Sequence, residues 1–113
     1  MAKSAPRITS FDHVLAGDKD SDNKTKFHLR SLSTTQKMEI TDTINAGAGS
    51  AVYWKLVRYG LLGWENFLDE NDKQTAFSES MSENIERLTP AQIIEIGLEI
   101  LKASSLTDEE RKN

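Results

Sequence analysis

Cysteine is absent from this chain of 113 residues. Disulfides, thiolate catalysis, cysteine-ligated zinc and iron–sulfur clusters are excluded with it. Such a chain suits a reducing compartment. Histidine is nearly absent too. His13 and His28 are the only two, and a pair without cysteine makes an incomplete zinc set. A basic excess is also missing. The net charge is −4 and the isoelectric point about 5.2, which argues against a binder of nucleic-acid phosphates. No apolar run approaches the ~20 residues of a membrane span. The opening MAKSAPRITSF has no apolar core of signal-peptide length. The expected location is therefore the cytoplasm of the producing or host cell.

Catalytic and ligand motifs are equally scarce. No G-x-S-x-G elbow is present, and the serines fall at caps and turns. Gly47-Ala48-Gly49-Ser50 precedes a helical pattern, but the lysine and spacing of a phosphate loop are missing. Asp18, Asp20 and Asp22 reproduce the opening of a calcium loop. The pattern then fails, with Asn23 where glycine is needed and Leu29 where a bidentate glutamate is needed. Glu65, Asp69, Glu70 and Asp72 read as a solvated acidic loop rather than as paired catalytic carboxylates. The expectation is a binding protein with no catalytic residue, no metal and no cofactor.

What the chain does have is one aromatic-rich stretch, Ser50 to Phe67, which holds both tryptophans and both tyrosines. Val52, Leu56 and Tyr59 recur at helical spacing, with Tyr53 and Val57 alongside. Gly60 is placed to end that helix through a positive φ. Leu61, Leu62, Trp64 and Phe67 then read as an irregular or short helical segment folding back on the core.

The remaining elements follow from pattern. Residues 1–23 read as a flexible start and the first strand of a hairpin, that strand lying near Arg7–Leu15. Residues 24–113 read as a single helical domain with a charged C-terminal tail. Lys24 to Leu32 alternates, with Thr25, Phe27, Leu29 and Ser31 on one side and Lys26, His28 and Arg30 on the other, which predicts a half-buried strand. Ser33 with Gln36, Ser80 with Glu83 and Thr89 with Gln92 have capping-box spacing. Pro90 sits where its missing N–H is harmless. Helices are thus predicted near 33–45, 50–60, 80–88 and 90–104. Met38, Ile40, Thr41 and Ile44 form a weak apolar stripe on the first. The fold class is mainly α (α+β), a small helical domain with an N-terminal β-hairpin. Trp54, Leu56, Trp64, Phe67, Ile93 and Ile100 are the predicted core, and Phe77 an apolar anchor for the acidic turn.

Several segments together resemble the tail assembly chaperones of long-tailed bacteriophages. They are Lys26 to Ser33, Tyr59-Gly60-Leu61-Leu62-Gly63-Trp64-Glu65-Asn66-Phe67, the acidic turn Asp69-Glu70-Asn71, Phe77-Ser78, the Leu88-Thr89-Pro90 helix start and the ending Ser104 to Asn113. The resemblance spans most of residues 24–113 and none of residues 1–23. It implies a small, mainly helical, non-enzymatic protein of the host cytoplasm. Such proteins coat the tape-measure protein, keep it soluble, help recruit tail-tube subunits and leave before the particle is finished. On this expectation the partner surface comprises Tyr53, Val57, Trp64, Ile94 and Leu98, because helix-in-groove recognition uses apolar side chains at i, i+3 and i+4. Self-association is expected, since a long helical partner needs many copies to cover it. The alternatives are a structural phage protein, either a head–tail connector or a tail completion subunit, and an interaction module of no phage origin.

Overall fold

The alternation between Lys24 and Leu32 sets the centre of the sheet. In the computed structural model, which describes residues 8–16, 24–69 and 71–112, strand β2 spans Lys26–Arg30 and lies between β1 (Ser10–Val14) and β3 (Leu61–Glu65). Both pairings are antiparallel, with Phe11 opposite Leu29 and Phe27 opposite Trp64. Thr25, Phe27, Leu29 and Ser31 are buried, as their shared side predicts, while Lys26, His28 and Arg30 keep solvent contact. Four helices complete the chain: α1 (Thr34–Asn45), α2 (Ala51–Gly60), α3 (Met81–Glu86) and α4 (Pro90–Lys112). The class is α+β with an N-terminal hairpin. The Asp18–Asp22 loop lies outside the described residues.

β3 replaces the irregular or helical segment expected after Gly60. Leu61, Trp64 and Phe67 are three apart, which reads as helical spacing. In the structure His28 faces Gly63 and Leu29 faces Leu61, so Leu62 is an extra residue on β3. Such a bulge shifts the alternation by one. It lets Leu61 and Trp64 share the inward side of a strand, a placement that unbroken period-two spacing forbids. Leu62, the extra residue, is exposed.

Gly60 does end α2, but for another reason than a positive φ. The next residue, Leu61, turns extended while its N–H still bonds the carbonyl of Val57. A Cβ on Gly60 would sit 2.5 Å from Cδ1 of Ile100 and 2.8 Å from its Cγ1 and Cγ2. The glycine is there because α2 and α4 touch at this point. Gly97 of α4 likewise lies against Tyr53 of α2. Positive φ instead marks Gly47 and Gly49, in the break between α1 and α2.

Two caps form as predicted. Ser33 and Gln36 close a capping box on α1, and Thr89 and Gln92 exchange the equivalent bonds at α4. The Ser80–Glu83 box does not form. Ser78 is used instead: its hydroxyl donates to Glu83 and accepts from the N–H of Ser80. Asn84, fully buried, accepts from the N–H of Ser78 at 2.7 Å and donates to its carbonyl at 2.9 Å. α4 runs to Lys112, past its predicted end near Ser104.

The core gathers Phe27, Leu29, Leu32, Leu56, Val57, Ile96 and Ile100 between the sheet and the α2–α4 pair. Leu56, Phe67 and Ile100 are buried as expected, and Trp64 and Ile93 pack against the cluster while only half-buried. Trp54 is not core. It is exposed, because it lies nearly opposite the buried Val52 and Leu56, about 200° around the helix from each. The α1 stripe also fails: Met38, Thr41 and Ile44 face outward, and Ile40 and Thr43 face in.

Candidate partner-binding surface

α4 begins at a capping box, and its first turns carry Ile93, Ile94, Ile96, Gly97 and Leu98. The i, i+3, i+4 rows on this helix are apolar around more than half its circumference. One arc packs on α2 and the sheet, where Ile96 and Ile100 have no accessible surface. Ser104 closes that arc, accepting from the N–H of Leu32 and donating to the carbonyl of Ile100. The charged side is held to the hairpin. Glu95 lies 2.7 Å from Nε2 of His13 and accepts the N–H of Ala16 at 2.9 Å. What remains is a shoulder carrying Ile94 and Leu98, 42% and 45% exposed, with half-buried Leu101 next along the row.

The five expected partner residues therefore separate. Ile94 and Leu98 are accessible and stand one turn apart on one face. Tyr53 is half-buried, with its ring against Gly97. Val57 is fully buried in the core and offers no surface to a partner; its position between α2 and α4 removes it from the docking set. Trp64 is half-buried in a chain of edge-on ring contacts with Phe27, Phe67 and Phe77. Its indole N–H donates to the carbonyl of Thr75 at 2.7 Å. An indole held on both sides by rings and at its nitrogen by a carbonyl is an anchor for the loop that follows β3, and Phe77 belongs to that anchor as predicted.

Trp54 was missed as a surface residue, although its place opposite Val52 and Leu56 was readable from helical spacing. It is exposed beside Lys55, whose ammonium lies 5.9 Å from the ring centroid. Met38 on α1 is more exposed still, at 64%.

The histidines do not meet. His13 faces α4, whereas His28 is on the other face of the sheet, 2.7 Å from Asp12 and 3.0 Å from Glu65 through its two ring nitrogens. That row ties all three strands through side chains, and it accounts for Glu65. Asp69 accepts the N–H groups of Asn71 and Lys73, so its carboxylate shapes a turn. Among the described residues no group of three histidine or carboxylate side chains converges to hold a metal ion. Tyr59 donates to Glu39, and this bond to a carboxylate, with some burial, raises the phenol above its ordinary pKa. Among the described residues no helix is long and apolar enough to cross a membrane.

No family model, curated protein or solved structure matches this chain.

Proposed function

We propose that this chain is a tail assembly chaperone of a long-tailed bacteriophage. It binds and solubilises the tape-measure protein in the host cytoplasm and helps recruit tail-tube subunits, acting by binding rather than catalysis. The sequence resemblance supports the family. The observation that carries the mode of action is the exposed pair Ile94 and Leu98 on α4. Exposed apolar side chains one turn apart on a rigid helix match an apolar stripe on a helical partner. Trp54 on α2 adds a large amphipathic ring of the kind that anchors interfaces. The net charge of −4 speeds encounter with a basic segment and adds little affinity, so that contribution weakens with salt. Several copies along one partner would cover its length.

Co-expression with the tape-measure protein of the same genome tests this. A soluble complex is expected, with an insoluble tape-measure protein when this chain is omitted. Equal solubility in both cases, with this chain present in purified virions, would instead make it a structural phage protein such as a connector.

A further inference from the structure

An open cavity of about 650 Å³, with Leu68, Asp69, Ala76, Arg87 and Thr89 exposed along it, lies between the loop after β3 and the start of α4. Its volume falls within the roughly 300–1,000 Å³ of small-ligand sites. Phe67, Leu68 and Ala76 supply its apolar lining, and Asp69, Thr75, Arg87, Thr89 and Gln92 its polar one. Most of those polar groups are already engaged. Thr89 and Gln92 bond each other in the α4 cap. Asp69 holds the turn through the N–H groups of Asn71 and Lys73. Arg87 differs. One N–H of its guanidinium donates to the carbonyl of Ala76, which orients it. Among the described residues no carboxylate pairs with it. Its remaining donors keep the planar fork that fits a carboxylate with two parallel bonds.

We propose that this cavity binds the C-terminal residue of a polypeptide whose last side chain is apolar. The side chain packs on Phe67, Leu68 and Ala76, and the terminal carboxylate meets Arg87. Charge selects this occupant. The Asp69 carboxylate is spent on the N–H groups of Asn71 and Lys73, whereas the Arg87 guanidinium keeps donors with no carboxylate partner among the described residues, so the ligand brings an anion to one end of an apolar group. The negative charge of Asp69 in the same wall disfavours a dianion such as phosphate and leaves a single carboxylate as the fitting group. Free chain ends are captured in this manner by other folds, with affinity shared between a pocket for the last side chain and donors for the carboxylate. The site makes no use of Ile94 or Leu98 and stands apart from the tape-measure reading.

The structure supplies a reporter. Trp64 stacks edge-on with Phe67 at 4.9 Å and donates to the carbonyl of Thr75, both of which line the cavity. In the Trp54→Phe chain Trp64 is the only tryptophan, so its fluorescence reads the site directly. Titration with N-acetyl-leucine is expected to give a saturable change in the millimolar range. N-acetyl-leucinamide, which lacks the charge, is expected to bind about tenfold more weakly, as loss of a hydrogen bond to a charged group implies. Inorganic phosphate should leave the signal unchanged. Arg87→Gln should abolish the difference between acid and amide while keeping the melting temperature. If that variant does not fold, the acid–amide comparison on the Arg87 chain still decides. Equal binding of acid and amide, stronger response to phosphate, or no saturable response to N-acetyl-leucine would each overturn the proposal.

Discussion

Replacing Gly60 by alanine should destabilise this protein, although alanine is the better helix former. The new methyl would lie 2.5 Å from Cδ1 of Ile100 and 2.8 Å from two further carbons of the same side chain. Ile100 is itself fully buried, so it has little room to rotate away. Overpacking of this kind costs about 1–3 kcal/mol. The gain from helix propensity reaches at most about 1 kcal/mol, and less at the last residue of a helix. The expected net loss is about 1–2 kcal/mol in urea unfolding, or a melting temperature lower by about 4–10 °C for a domain of this size. Ile100→Val removes the nearest colliding carbon and should cost about 1 kcal/mol alone. Combined with Gly60→Ala it should be milder than the sum, with a coupling above about 0.5 kcal/mol. A neutral or stabilising Gly60→Ala would show that the close approach is not there, and the collision is then refuted. It is also refuted if the two substitutions simply add, because the collision would then not lie with Ile100.

Trp64→Ala should cost about 3 kcal/mol or more in urea unfolding, since it empties a ring cluster and orphans the carbonyl of Thr75; a loss below about 1 kcal/mol would mean that the indole is not an anchor. Asn84→Ala should cost about 1–3 kcal/mol, because it leaves the backbone groups of Ser78 without partners beside a buried site. The raised pKa of Tyr59 fixes a sign: its contribution is fully present below the ordinary value of 10.0 and is lost as pH climbs through the higher folded value. A urea series taken from pH 9 upward should therefore show an alkaline loss of stability that is smaller in Tyr59→Phe, and identical slopes would contradict the Glu39 bond. Trp54→Ala should change stability by less than about 1 kcal/mol, as befits an exposed side chain.

Periodicity and cap spacing made β2 and all four helices readable. Phe27 and Leu29 alternate with charged neighbours, and β2 keeps that alternation although its pairing with β3 shifts register between His28 and Leu29. The α1 and α4 caps were also legible, because each box needs only residues three apart. β3 was not, since a bulge at Leu62 gives its inward residues a helical spacing. The role of Gly60 was hidden for a similar reason: a close approach to Ile100, 40 positions away in the chain, leaves no local mark. Of the five residues expected to meet a partner, two are exposed. Ile94 and Leu98 fall at the edge of an apolar arc wider than one neighbour can cover, whereas the burial of Val57 depends on how α2 and α4 cross. The cavity at Arg87 had no sequence signal at all, because its lining comes from β3's following loop, the end of α3 and the start of α4.

On the proposed function, α4 presents Ile94 and Leu98 to a helical tape-measure protein. The most direct measurement is the soluble fraction of that protein when co-expressed with the unaltered chain or with Ile94→Asp/Leu98→Asp. The variant chain should fold normally, with a circular dichroism spectrum and melting temperature close to those of the parent, because both side chains are exposed. The tape-measure protein should be soluble with the parent and move to the pellet with the variant. A folded variant that keeps it fully soluble would contradict the claim.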